Sequence, residues 1–188
     1  MSAFSPRNFP PNEFWDFSTR LHARDDVERA CLALQDRHDI DVNVLLFCYW
    51  VAASGRATFR PGELAAALDA VRSWRHEVVL PLRAVRLKLE GDVRPAARHL
   101  ADDLARVTAE CELHAEHMEQ LMLYRSLERP GTGTFDALHR AEDAARNLGQ
   151  YFEVLETSAS AEDRADFARI MARVFPDVPA MRIEALFA

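Results

Sequence analysis

The sequence predicts an all-α fold, a single-domain helical bundle in which short N-terminal helices pack on three longer helices. In each long segment apolar residues recur every three or four positions, which is the spacing of an amphipathic helix. No segment shows the strict alternation of apolar and polar residues that is typical of a half-buried strand. A chain of 188 residues with 49% hydrophobic residues can bury one core. We therefore expect residues 1–188 to form one domain.

The helix expected at the centre of the fold spans residues 42–53. It is apolar nearly all round, which is typical of a helix buried on every side, so Leu46 should be fully buried. Asp41 precedes it and suits an N-cap, because its carboxylate can accept hydrogen bonds from the N–H groups of the first turn. Asn43 is expected to bond neighbouring backbone groups, because buried polar groups are normally paired.

Two short helices are expected before the central helix. The first follows an extended lead-in at residues 1–12, with Pro11 in its first turn, and carries Phe14, Trp15, Phe17 and Leu21. The second is expected to begin with Asp25 or Asp26 as its cap and to carry Val27, Cys31 and Leu34 on one face.

The segment at residues 61–89 predicts a long helix with Pro81 inside it. Proline removes a helical hydrogen bond and collides with the preceding turn, so we expect a kink or break near residues 76–80. Arg75 interrupts the apolar line of this helix and is predicted to reach out to its rim rather than to clamp a ligand. The apolar line consists of Leu64, Leu68, Val71, Val78, Leu82, Val85 and Leu89.

The longest helix is predicted from Pro95 to about Glu128, and long helices of this kind pack antiparallel in bundles. Its predicted buried seam is Leu100, Leu104, Val107, Cys111, His114, Met118 and Leu121.

Two further helices are predicted after Pro130 and Gly131. The first should bury a face made of Phe135, Leu138, Ala141, Ala145, Leu148, Phe152 and Leu155. Ser160 and Asp163 have the spacing of a capping box for the second, which carries Phe167, Ile170, Met171 and Val174. Residues 176–188 are expected to form a tail or a short docking helix.

Polar residues crowd the junction between the second helix and the central helix, at residues 35–43. One interpretation is a hydrogen-bonded corner between two helices, because buried polar groups are normally paired. The other is a ligand pocket, since apolar walls with a few convergent polar groups are the usual composition of such sites. The pocket would be lined by Trp15, Gln35, Asp36, His38, Asn43 and Trp50.

One acidic stretch contains the residues considered as metal ligands, which are Cys111, His114 and His117. A di-iron centre in a helical bundle needs Glu-x-x-His on two helices, and none of the seven histidines has a glutamate three residues before it. His114 lies on the predicted seam, so we interpret it as a packing residue. We expect no metal and no cofactor.

Charge and composition restrict the possible partners. A net charge of −7 argues against a general nucleic-acid binder, because affinity for phosphates comes largely from clustered lysine and arginine. Residues 60–98 carry eight basic and five acidic side chains, whereas residues 99–188 carry nine basic and seventeen acidic ones. This asymmetry could steer a charged partner or produce a self-complementary homodimer.

The sequence leads us to expect no segment that targets the chain to a membrane. Its N-terminus has no apolar segment of the kind found in signal peptides, and its most apolar helix is far shorter than the roughly 20 residues that span a bilayer. We expect a cytoplasmic protein with no membrane span.

Three short patterns near the N-terminus carry a resemblance. They are Phe14-Trp15-Asp16-Phe17-Ser18, then residues 30–36 (ACLALQD), then residues 41–47 (DVNVLLF) with Trp50 after them. Together they resemble a proteobacterial family of small hypothetical proteins with no established function. The resemblance covers about the first third of the chain and implies no catalytic residues.

Two functional hypotheses remain. The favoured one is a non-enzymatic interaction, adaptor or regulatory module that binds another protein or a second copy of itself. The alternative is a small-molecule-binding protein or an enzyme, with a pocket at the 35–50 corner. The first is favoured because the sequence contains no Walker loop, no Gly-x-Ser-x-Gly and no HExxH motif.

Overall fold

The structure, a computed structural model, describes residues 9–91, 98–127 and 129–188. Its helices are α1 (Glu13–His22), α2 (Asp25–His38), α3 (Val42–Ala53), α4 (Glu63–Trp74), α5 (Leu80–Glu90), α6 (Arg98–Ser126), α7 (Ala137–Val154), α8 (Ala161–Val174) and α9 (Ala180–Ala185). A π-helical turn, Arg75–Val79, joins α4 to α5. The described residues contain no strand, so the all-α prediction is confirmed.

The core is built around α3. Residues 44–52 are buried without interruption, and Leu46 is 2% exposed, as predicted. α7 packs along α3, while α1, α2, α6 and α8 contact it from other sides. The rings of Phe14 and Phe47 lie 5.2 Å apart, and that of Trp50 lies 5.5 Å from Phe14. These contacts attach α1 to the central helix.

The first three helices start for local reasons. Asp41 is the N-cap of α3, because its Oδ1 accepts from the N–H of Asn43 at 2.8 Å, which confirms the predicted cap. α1 begins at Glu13, where the predicted lead-in ends, but Pro11 lies before the helix and not in its first turn. Asn12 is the N-cap and accepts from two N–H groups. The predicted cap of α2 is wrong: Arg24 is the N-cap, and Asp25 and Asp26 lie in the first turn.

The break predicted before Pro81 is present as the π-helical turn. Proline has no N–H to donate to the carbonyl four residues earlier, so the regular helical pattern cannot continue through it. The N–H of Leu80 instead donates to Arg75 O, one residue further back than in an α-helix.

The seam predicted on α6 is wrong in its first half. Leu100, Leu104 and Val107 are 61%, 53% and 47% exposed, and Cys111 is also exposed. The buried residues of this half are instead small or polar: Ala101, Ala105, Thr108, Glu112 and Ala115. Arginines of α5 bind carboxylates on this side of α6. A prediction based on the spacing of apolar residues cannot detect a helix contact made by ion pairs. The predicted ends of this helix, Pro95 and Glu128, lie outside the described residues, as do residues 1–8 of the lead-in.

The C-terminal helices follow the predicted pattern with one exception. Phe135 precedes α7 and is 93% exposed, because Asp136 caps the helix and starts it at Ala137. Ser160 and Asp163 form the predicted capping box of α8. The tail forms α9, which packs on α8 and buries Ile183.

Within the described ranges, no helix is both long enough and apolar enough to cross a lipid bilayer.

Replacing Leu46 by alanine should lower the free energy of unfolding by about 2–5 kcal/mol, because it removes a buried side chain from the central helix. Urea denaturation followed by circular dichroism measures the change. Met181→Ala is the control, since Met181 is 78% exposed and its truncation should change stability by less than about 0.5 kcal/mol. An equally small change for Leu46→Ala would mean that α3 is peripheral.

Candidate ligand-binding cleft

A cleft of about 630 Å³ opens on one side of the bundle, between α1, α2, the start of α3, the π-helical turn, α5 and α6. Apolar side chains from all six elements form its walls, including Trp15, Leu32, Leu46, Val79, Leu87 and Leu113. Leu32, Leu87 and Leu113 remain 44–54% exposed. The cleft therefore presents an open apolar surface.

Half of the residues predicted to line a pocket do line this cleft. Trp15, Gln35 and Asn43 are brought together there, whereas Asp36, His38 and Trp50 are not. Trp50 is 3% exposed and packs in the aromatic core. Asp36 is exposed, and His38 pairs with Asp163 of α8. The binding role of these residues stays a prediction.

A chain of polar side chains connects α1, α6 and α3 at the cleft. The Ser18 hydroxyl donates to Gln120 Oε1 at 2.6 Å, and Gln120 Nε2 donates to Asn43 Oδ1 at 2.7 Å. Asn43 Nδ2 in turn donates to Glu119 Oε2 at 2.6 Å. The expectation that Asn43 bonds backbone groups is therefore wrong, because its amide is satisfied by side chains of α6.

Glu119 and Asp41 meet at the end of this chain. Glu119 is completely buried, and its Oε1 would have no hydrogen-bond partner if the group were ionised. Burial, together with the charge of Asp41, raises the pKa of Glu119 well above its usual value. Glu119 therefore keeps its proton at neutral pH and shares it with Asp41, an arrangement that two adjacent carboxyls commonly adopt.

Arg75 balances the charge of Asp41. Its Nη1 lies 3.0 Å from Asp41 Oδ2, and its side chain is only 13% exposed. The prediction that Arg75 reaches out to the rim is therefore wrong. The π-helical turn brings Arg75 to the start of α3, where it contacts both Asp41 and the carbonyl of Ile40.

Ion pairs between α5 and α6 form another wall of the cleft. Arg83 donates to Glu112 at 2.8 Å and to Glu116 at 2.7 Å, and Arg86 donates to Glu112 at 2.6 Å. Burial raises the pKa of Glu112, but the hydrogen bonds from Arg86 and Arg83 outweigh it, and the net pKa is lowered. Burial is stronger for Glu116, whose pKa is raised. Arg83 also donates to Gln35, which connects this wall to α2.

The weak metal candidates do not converge. The His117 ring is stacked between Phe9 and Trp15, with ring centres 3.8 Å apart on each side, and burial lowers its pKa to about 4. His114 is half-buried rather than part of a core seam, and Cys111 is exposed. Among the described residues, no group of three or more His, Cys, Asp or Glu side chains is arranged to hold a metal ion.

A second polar cluster joins α2 to α8, away from the cleft. Asp163 is fully buried and accepts from Arg37 Nε at 2.7 Å, and its other oxygen lies 2.9 Å from His38 Nε2. Burial raises the pKa of Asp163, but hydrogen bonds from Ser160, His38 and Arg37 lower it well below its usual range. The capping-box spacing identified Asp163, but nothing in the sequence indicated its partners on α2.

The predicted site omitted several residues that line the cleft: Ser18, Arg83, Arg86, Glu112, Glu116 and Gln120. It also omitted Glu119, which is buried behind Asn43 and bonded to it. One signal could have found some of them. Glu112, Glu116 and Glu119 recur at helical spacing, and Arg83 and Arg86 lie three apart on the preceding helix. Matching these two sets would have predicted that a charged face of α6 is buried.

The comparisons with known proteins give one match. Residues 13–123 match the model of a family described as "Protein of unknown function (DUF2390)". The match confirms the resemblance to a family with no established function and extends beyond the first third of the chain. Every residue that lines the cleft falls within it. No curated protein and no solved structure matches the chain.

Between pH 5 and 9, Glu119 should make the protein less stable as the pH rises. Its pKa is raised in the folded state, so over this range the folded protein holds a proton that the unfolded chain has released. Glu119→Gln preserves the hydrogen bonds of the protonated acid and cannot ionise. Relative to this variant, the wild type should lose stability by up to about 1.4 kcal/mol per pH unit. Urea denaturation across this pH range measures the difference.

Glu153→Gln is the matched control for this experiment, because Glu153 is exposed on α7, away from Glu119, and its replacement should leave the pH dependence of stability unchanged. His117 is present in all three proteins, so its own titration cancels from the comparison. Parallel curves for wild type and Glu119→Gln would show that Glu119 is ionised in the folded protein.

Asn43→Leu should destabilise the protein by roughly 1–3 kcal/mol, because it leaves Glu119 and Gln120 without partners in a buried site. Ser73→Leu is the control on an exposed helical position. Thermal melts of the two variants provide the comparison. A raised melting temperature for Asn43→Leu would indicate that Asn43 is kept for binding at the expense of stability.

Proposed function

Because the chain belongs to this family of unknown function, we propose a function on the basis of the cleft itself. The protein binds a small organic molecule that has an apolar body and an uncharged polar end. The observation that carries this proposal is a cleft of about 630 Å³ with apolar walls and convergent polar groups. Ligand sites in proteins usually have volumes of roughly 300–1,000 Å³ and this composition.

The apolar body would lie against the leucine side chains of the cleft and the Trp15 ring. Leu32, Leu87 and Leu113 are partly exposed there, so covering them removes apolar surface from water. Leu46 lies deeper, at the core, and closes the inner end. These side chains supply most of the favourable free energy of binding, since apolar burial is its main source.

The polar end is expected to be uncharged, because the charges along the cleft compensate each other. Arg75 pairs with Asp41, while Arg83 and Arg86 pair with Glu112 and Glu116. A charged ligand would have to compete with these pairs. The amides of Gln35, Asn43 and Gln120 can donate and accept hydrogen bonds, which suits a hydroxyl or amide group on the ligand.

A different observation favours a second candidate function, the interaction or adaptor role that the sequence suggested. Leu100, Leu104 and Val107 of α6 are exposed and form an apolar surface of the kind that marks protein contacts. This role is compatible with ligand binding, because the two surfaces lie on different sides of α6. Both proposals include a bacterial, cytoplasmic protein, as the sequence favoured.

Filling the cleft tests the proposal. Leu113→Trp places a larger side chain at a half-exposed position of the cleft and should abolish ligand binding. Val154→Trp is the matched control, because Val154 is 50% exposed on α7, outside the cleft. Native mass spectrometry of purified protein should detect a bound molecule in the wild type and in the control, but not in Leu113→Trp.

A library of uncharged amphipathic fragments, assayed by thermal shift, covers the case in which the ligand is lost during purification. Stabilising fragments should act on the wild type and on Val154→Trp but not on Leu113→Trp. If no molecule co-purifies and no fragment stabilises the wild type, the proposal is wrong. Fragments that stabilise all three proteins equally would also contradict it, because their site would lie elsewhere.

A further inference from the structure

The first half of α6 carries an apolar stripe that the rest of the described chain leaves uncovered. The α6 stripe consists of Leu100, Leu104, Val107 and Cys111, whose spacing of four, three and four places them on one face of the helix. Its three aliphatic members are 47–61% exposed. Contiguous apolar surface of this kind marks a contact with another molecule.

α5, the helix that pairs with α6, also carries an apolar residue on the side away from the cleft, because Val85 lies about 200° around the helix from the cleft residue Leu87. α5 contains no buried residue, and Val85 is 50% exposed. α5 and the first half of α6 therefore form a two-helix arm with an exposed apolar side. Two such arms can pack together as a four-helix bundle, in which each helix gains the neighbours that it lacks in the arm.

Charges of opposite sign border this apolar side. Lys88 follows Val85 by one helical turn, is exposed, and has no ion pair with any described residue. Asp103 and Glu110 directly precede two members of the stripe, and their side chains are 72% and 64% exposed. Within the described ranges both pair with Arg106, at 3.4 Å and 3.8 Å, so these carboxylates are only loosely paired.

We propose that the arm binds a second copy of this chain, in a two-fold dimer in which the α6 stripe of each copy packs against α5 of the other. The arrangement of charges is the reason for proposing a second copy of this chain as the binding partner. One surface holds a cation on α5 and carboxylates on α6, and a two-fold axis brings the cation of each copy to the carboxylates of the other. A partner whose surface carried charges of only one sign would be repelled by one of the two helices.

The dimer leaves the cleft open, and the inference does not depend on the proposed function. Leu113 lines the cleft and lies two residues beyond Cys111, which places it about 200° around the helix from the stripe. Ligand binding and dimerisation can therefore succeed or fail separately.

The first test is the molar mass in solution, measured by sedimentation or light scattering at tens of micromolar. The wild type is expected to have twice the chain mass of 21.3 kDa. Leu104→Glu and Val107→Glu should be monomeric, because each places a carboxylate inside the contact. Both positions are exposed in the single chain, so circular dichroism should show an unchanged fold. Val154→Glu, the same change at an exposed position of α7, should stay dimeric.

The charges provide a second test. Lys88→Glu should raise the dimer dissociation constant about tenfold or more, because like charges then face each other across the contact. Adding Glu110→Lys to the Lys88→Glu chain should restore part of the affinity. Positions 88 and 110 then again carry opposite charges across the contact, with the signs exchanged.

Lys88 is the only lysine of the chain, which makes it a specific chemical probe. A carbodiimide should join its amine to Asp103 or Glu110 with loss of water. Mixing ¹⁴N- and ¹⁵N-labelled protein identifies links between copies as peptide pairs of mixed isotope. Lys88→Arg keeps the charge and should stay dimeric while losing the link.

A wild type that is monomeric at these concentrations overturns the proposal, including the case in which the stripe is found to bind a different protein. A dimer that Leu104→Glu and Val107→Glu leave intact also overturns it, since the copies would then meet elsewhere. The proposal would also be overturned if Lys88 formed links but no linked peptide pair contained both isotopes, because the links would then lie within single chains.

Discussion

The buried carboxyls of Asp41 and Glu119, together with Arg75, connect the start of α3, the middle of α6 and the π-helical turn. Asp41 caps the central helix through one oxygen, and its second oxygen pairs with Arg75. Two adjacent carboxyls in a buried site cannot both be ionised without a large electrostatic cost, so one proton is retained. Because Asn43 then bonds both Glu119 and Gln120, the same contact fixes the floor of the cleft.

The α5–α6 arm is stabilised differently from the rest of the molecule. Around α3 the helices are joined by apolar side chains, whereas α5 and α6 are joined chiefly by Arg83 and Arg86 bonded to Glu112 and Glu116. Small residues of α6 allow the helices to approach, and the arginines cover its carboxylates. As a result the large apolar residues of this half of α6 remain outside, where they form the α6 stripe.

The elements with local signals were the ones that the sequence predicted well. Asp41, the Ser160 and Asp163 pair and the break before Pro81 act through neighbouring residues, so a short stretch of sequence contains their cause. The candidate site was predicted less well, because residues 35–50 were grouped by proximity in the chain. Gln35 faces the cleft and His38 faces α8, although they belong to the same helix.

By itself the sequence determined the all-α class, the burial of α3 and the caps of α3 and α8, because helical periodicity, continuous apolar runs and capping residues act over a few residues. Only the tertiary structure decided which side of α6 is buried and which polar residues meet. Those outcomes depend on pairs such as Arg83 with Glu112 and Asp41 with Glu119, which lie 29 and 78 residues apart. In such pairs each ionisable group is costly to bury alone and becomes tolerable only when the fold supplies its partner.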